Sequence, residues 1–206
     1  TPNTFLMDIN TPLELGYRFP AEWERHSSTW LSYPHNENSW PDKIAPIFPF
    51  YNRFIKQISL GETVNINVLD RLMLERVRQQ LADIGTDMSK IVFHLNPTND
   101  AWCRDHGPAF LVNPSAKNKK IIVDWQYNAW GNKYPHDLDN MIPSLIAKYL
   151  NIPSVSPGIV MEGGSVDFNG KGTLLTTTAC LLHENRNPHL KQHEIEKFLM
   201  DYYCVE

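Results

Sequence analysis

The sequence predicts a mixed α/β (α+β) fold, on three observations. Four segments place apolar residues at helical spacing, and short β-rich runs fill the intervals between them. The two kinds of element alternate in blocks of similar size, without a strong internal repeat. Sheet order is not fixed by the pattern. Apolar residues make up 42% and charged residues 20%, so 206 residues can bury a substantial core as one domain or two small ones.

Taken along the chain, Ile47, Phe50, Tyr51, Phe54, Ile55 and Ile58 predict the first helix, with Pro46 and Pro49 confined to its N-terminal turn. Leu74, Val77, Leu81 and Ile84 predict a second, which Gly85 can end. Leu138, Met141, Ile142, Leu145, Ile146, Tyr149 and Leu150 form the cleanest stripe, and Pro143 places the start of that helix near 140–143. Ile195, Phe198, Leu199 and Tyr202 predict a fourth. Strands are expected over 28–33, 64–69, 91–95, 109–112, 121–125, 159–162, 165–168 and 173–176, the last two joined by a primed turn at Asn169-Gly170.

Bulk properties exclude several classes. A net charge of −4 gives no basic footprint for nucleic acid. No apolar run approaches a membrane span, and no signal peptide is visible. Three cysteines, Cys103, Cys180 and Cys204, are too few and odd in number for a disulfide framework and suit a reducing, cytoplasmic setting. His189 and His193 are four residues apart but lack an obvious third metal ligand, so no metal is expected. Self-association into a homo-oligomer stays open.

The segment Asp100-Ala101-Trp102-Cys103-Arg104-Asp105-His106-Gly107-Pro108 puts an indole, a guanidinium and a carboxylate within four residues. A carboxylate accepts two parallel N–H bonds from a guanidinium, and an indole face attracts a flat cation. Read as extended chain, the segment would put Cys103 and Asp105 on one face. Asp105 then either grips a guanidinium-like ligand or serves the scaffold, through Arg104 or as a turn cap. Met161-Glu162-Gly163-Gly164-Ser165 supplies a second carboxylate beside two glycines that admit close approach. Glu162 ends an apolar run, where a carboxylate is costly unless paired. Arg104 is expected to point away from these carboxylates, towards Asp100 or Asp124. Arg186 and Asn187 are expected to do structural work. Asp137 reads as a helix N-cap or first-turn residue.

Five ordered motifs then resemble one family. They are Trp102 to Pro108; Asp124-Trp125-Gln126-Tyr127-Asn128-Ala129-Trp130-Gly131; Glu162 to Ser165; Gly172-Thr173-Leu174-Leu175-Thr176-Thr177; and Asn185-Arg186-Asn187-Pro188-His189-Leu190. The order resembles the agmatine deiminase family, which includes the Porphyromonas-type peptidylarginine deiminases. The likeness runs from about Tyr17 onward and begins with Phe19-Pro20-Ala21-Glu22-Trp23.

The resemblance implies a pentein-type α/β propeller of five ββαβ modules, of which about three would lie here, so that residues 1–206 form a single partial deiminase domain. It implies a hydrolase that converts the guanidinium of agmatine to N-carbamoylputrescine and ammonia, within putrescine and polyamine metabolism. Peptidyl-arginine as substrate, or a non-catalytic guanidinium-binding module, are the alternatives. Asp105 and Glu162 would be catalytic and substrate-binding, Trp102 would stack on the substrate, and Asn128 and Trp130 would lie near it. No cofactor is implied, because a Cys thiolate supplies the nucleophile and a His moves protons. The resemblance places both beyond the last residue of this chain. Cys103 is a poor substitute beside Asp105, Cys180 reads as a small buried residue, and Cys204 as frayed. This piece alone is expected to be inactive and poorly stable, with open strand edges.

Overall fold

In the computed structural model, which describes residues 10–206, the β-rich runs pair into three separate sheets. The chain divides into two units. One holds Arg25–Cys103 with His136–Asp139; the other holds the residues up to Glu24, Arg104–Pro135 and Asn140–Glu206.

In the first unit, strands β1 (Ser28–Ser32), β2 (Thr63–Val68) and β3 (Ile91–Leu95) form a parallel sheet in that order. Parallel neighbours need long crossovers, and helices α1 (Ile44–Ser59) and α2 (Arg71–Asp83) supply them. Val64, Ile66 and Val68 of β2 join Ile55, Val77 and Leu81 in one core cluster. The alternate residues Asn65 and Asn67 are buried too, bonded to His94 Nε2 at 2.9 Å and Asn96 Nδ2 at 3.0 Å. Both faces are therefore dry, as parallel sheets require. Asp70 caps α2 by accepting the Met73 N–H at 2.8 Å, and Gly85 ends it with φ +72°. Helix α1 starts at Ile44, before the expected stripe, so Pro49 sits inside it and withholds one helical donor. Near residue 139 it is Asp139 that holds backbone donors, and they belong to the loop at 99–100 rather than to a helix start. Its Oδ1 accepts the backbone N–H of Asn99 at 2.7 Å and of Asp100 at 3.3 Å.

The short helix α3 (Cys103–His106) contains the boundary between the units. In the second unit, β4 (Ala109–Val112) runs antiparallel to β5 (Lys120–Val123), which runs parallel to β6 (Ser154–Val155). Helix α4 (Ile142–Leu150) makes the crossover; it begins where Pro143 predicts, and Asn151 closes it at φ +53°. Strands β7 (Val166–Phe168) and β8 (Leu174–Thr176) form a hairpin. Helices α5 (Thr178–Leu181) and α6 (Gln192–Tyr203) follow. Leu111, Ile121, Val123, Trp125, Met161, Phe168, Leu199 and Tyr203 share the core.

Three expectations need correction, and one strand went unforeseen. Residues 159–162 are not a strand: the segment is held by one bridge, Gln126 to Val160, and its apolar run reflects burial rather than sheet pairing. The β7–β8 connection is not a two-residue primed turn. It is a longer loop over 169–173, where Asn169 Oδ1 accepts the N–H groups of Lys171 and Thr173 at 2.8 and 3.0 Å. Strand β6 has no signature in a two-residue run. Cys204 is not frayed: Tyr203 and Val205 are buried, and the Glu206 N–H bonds Gly172 O at 2.8 Å. Burial pushes the Cys204 thiol up to about 12.

Asp124, just past β5, has its carboxyl pushed up to about 6 by burial. The folded state thus holds this proton more tightly than the unfolded chain, whose value is about 4. The group costs nothing below about pH 4, and its penalty grows as pH rises to about 6 and persists above. Asp124→Asn should raise the melting temperature at about pH 7 and leave it nearly unchanged at about pH 4. An equal shift at both pH values would assign the effect to packing.

Candidate active site

The segment from Trp102 is not extended at Cys103–His106; it closes into the single turn of α3. Residues two apart on a helical turn point in different directions, so Cys103 and Asp105 do not share a face. Cys103 packs with the core of the first unit, whereas Asp105 belongs to the second. His106 is buried, with its ring 6.0 Å from that of Tyr127.

Two glycines let α3 rest directly on the neighbouring backbone. A Cβ on Gly163 would lie 2.2 Å from Arg104 O, and one on Gly164 would lie 2.1 Å from Asp105 Oδ1. The Gly164 N–H instead donates to Asp105 Oδ1 at 3.0 Å. Glu162 is two residues earlier, so the same short segment carries one carboxylate and fixes the other. The Trp130 indole N–H also donates to Asp105. Burial raises the Asp105 carboxyl above its ordinary value; the bonds from Gly164 and Trp130 and the charges of Arg104 and Arg186 oppose that rise.

Glu162 is 3% exposed. Its Oε1 accepts Arg186 Nε at 2.5 Å, and its Oε2 is buried with no hydrogen-bond partner among the described residues. The carboxylate is thus half satisfied, with one acceptor left for a ligand donor. The segment carrying it is pinned on both sides. Gln126 exchanges backbone bonds with Ile159 and Met161 at 3.1 and 2.9 Å. The Asn187 amide accepts the Val160 N–H at 2.9 Å and donates to Val160 O at 2.8 Å.

Arg104 does point into the scaffold, but through neither expected partner. Its guanidinium pairs with Glu22 and Asp167 and donates to Gly163 O at 3.2 Å. The side chain is about half exposed, so these pairs contribute little stability and mainly set the orientation of α3.

Asn128 lies beneath the site, with its amide committed on both sides. Its Oδ1 accepts the Gly131 N–H at 2.9 Å, and its Nδ2 donates to Asn185 O at 3.0 Å. It initiates a turn, Ala129–Asn132, in which every residue has positive φ: 46°, 59°, 97° and 59°. Left-handed backbone costs roughly 1–2 kcal/mol for each residue with a Cβ, so the surrounding contacts must hold this turn. Trp102 lies in the first unit, where it stacks on Trp40 at 5.8 Å between centroids and stays 40% exposed.

The structure therefore brings Asp105, Glu162 and Trp130 into one neighbourhood of the second unit, with Asn128 supporting it. The sequence reading missed Arg186 as the partner of Glu162. Its only signal was the polar run Asn185-Arg186-Asn187, which carries no periodicity. Among the described residues, no group of three or more His, Cys, Asp or Glu side chains is placed to hold a metal ion. No helix among them is long and apolar enough to cross a membrane.

The family model described as Porphyromonas-type peptidyl-arginine deiminase matches residues 18–206, and the chain belongs to that family. The agmatine deiminase of Ectopseudomonas mendocina is 35% identical over 205 residues, which are 95% of this chain and 53% of that protein. The solved agmatine deiminase of Enterococcus faecalis superposes with a TM-score of 0.87 at 34% identity, covering 96% of this chain and 53% of that one. A Cys-to-Ser variant of the C. jejuni agmatine deiminase with substrate bound gives 0.80 at 31% identity, covering 92% and 54%. The chain spans about half the length of the curated relatives it matches. The likeness gives it the pentein-type α/β fold.

Replacing Arg186 by Met would strand the Glu162 carboxylate in the interior. Breaking one side of a buried pair costs about 3–5 kcal/mol, whereas apolar replacement of both partners is close to neutral. Chemical denaturation of the intact protein should find Arg186→Met much less stable than the double variant Arg186→Met/Glu162→Met. Equal stability of the two would mean that Arg186 does not compensate Glu162.

Proposed function

We propose that the intact protein hydrolyses the guanidinium of agmatine to N-carbamoylputrescine and ammonia. The observation that carries this reading is the pair of carboxylates held around Gly163-Gly164. Asp105 is fixed by two N–H donors, and Glu162 keeps one buried oxygen without a hydrogen-bond partner among the described residues. In this reading Asp105 and Glu162 are catalytic residues that bind the substrate guanidinium. Trp130 and Asn128 line the same neighbourhood. The first unit and the second belong to one deiminase domain.

Attack on a guanidinium carbon needs a strong nucleophile, because delocalisation spreads its charge. A Cys thiolate outside this chain would add to that carbon, and a His would protonate the departing amine, releasing ammonia. Water would then resolve the thiouronium-like intermediate and return the thiolate. The paired carboxylates hold the cation in line and keep it protonated until the thiolate adds to its carbon. Membership of a family described by peptidyl-arginine deimination supports protein-bound arginine as the second reading. The three free cysteines suit a reducing, cytoplasmic setting.

Ammonia release from agmatine, free arginine and a peptidyl-arginine by the intact protein separates these readings. Agmatine should be preferred, and Asp105→Asn should lower turnover on the order of a hundredfold to a thousandfold. Preference for the peptide would select the second reading. Binding without turnover of any of the three would make the protein a guanidinium-binding module.

A further inference from the structure

We infer that Trp130, Asn185 and Arg186 act as one clamp that sets the placement of Asp105 relative to Glu162, and that they are positioning residues rather than substrate contacts. Beyond the Gly163-Gly164 segment, each carboxylate has one further anchor. Trp130 donates to Asp105, and Arg186 pairs with Glu162. The two anchors are joined to each other by Asn185. Its Nδ2 donates to Trp130 O at 3.3 Å, and its Oδ1 accepts an N–H from Arg186 Nη1. The backbone of Asn185 is tied back as well, since Asn128 Nδ2 donates to its carbonyl.

Gly131 closes the assembly. A Cβ there would lie 2.2 Å from Asn185 Nδ2, so the turn and the loop are in direct contact where only glycine fits. The left-handed turn explains why this contact is needed. Four successive positive φ values persist only where neighbours over-determine them. The Asn132 N–H to Asn128 O bond and the two Asn128 side-chain bonds supply that restraint. A shift of Asn185 would thus move the Trp130 indole and the Arg186 fork together, changing both carboxylates at once. Arg186 suits this role because its planar fork can bond Glu162 and Asn185 simultaneously, which a lysine ammonium cannot do in the same geometry.

The test uses two readouts on the intact protein, one of which does not depend on the proposed function. In a ¹⁵N-tryptophan spectrum, the Trp130 indole resonance is identified by its loss in Trp130→Phe. Asn185→Ala should move that resonance upfield as its bond to Asp105 weakens, and Arg186→Lys, which keeps the charge, should move it in the same direction. The kinetic arm rests on the agmatine reading. Each variant should lower kcat/KM by up to about a hundredfold, as expected for a small misplacement. The double variant Trp130→Phe/Arg186→Lys should be little worse than the poorer single one. If Asn185→Ala fails to fold, Arg186→Lys alone carries both readouts. An unmoved indole resonance, or effects of Trp130→Phe and Arg186→Lys that multiply, would overturn the clamp. Absence of guanidine turnover in the unaltered protein would instead overturn the proposed function, leaving the spectrum to decide the clamp.

Discussion

The arrangement depends on one close approach, the turn of α3 lying directly on the backbone of Gly163 and Gly164. Because neither glycine has a side chain, a backbone N–H reaches Asp105 while Glu162 sits two residues away on the same segment. Any residue with a Cβ at these positions would force the carboxylates apart. The rest of the local structure sustains this contact. Arg104 ties α3 to Glu22 and Asp167, and Asn187 and Gln126 hold the segment leading to Glu162 from both sides.

The cost of that geometry is carried nearby. Asp105 is raised by burial, and Glu162 is almost wholly removed from water. Carboxylates in such surroundings persist when donors meet them. Arg186 meets one oxygen of Glu162, and Trp130 and Gly164 meet Asp105. The strained turn at Ala129–Asn132 follows from the need to bring an indole N–H to that point. A regular helix there would point Trp130 elsewhere.

Much of this was legible in the sequence, and what was not has physical reasons. Helices α1, α2, α4 and α6 follow from spacing because each has an apolar stripe long enough to read. Asp105 and Glu162 stand out because ionisable groups beside glycines or at the end of an apolar run need an explanation. The turn of α3 spans four residues, too few for a period to emerge, so it reads as extended chain. Residues 159–162 read as a strand because periodicity cannot distinguish a buried loop from a buried strand. The left-handed turn is hidden because only one of its four residues is glycine. The Glu162–Arg186 pair spans 24 residues, and nothing local in either motif announces the other.

The most direct test of two carboxylates clasping one flat cation is the kcat/KM of Gly164→Ala for ammonia release from agmatine by the intact protein. The backbone at Gly164 is not in the left-handed region, so the added methyl meets only one serious obstacle, the Asp105 carboxylate at 2.1 Å. The account predicts a folded protein whose kcat/KM falls by more than about tenfold, equivalent to about 1.4 kcal/mol of lost transition-state stabilisation. A folded Gly164→Ala variant with unchanged kcat/KM would contradict it.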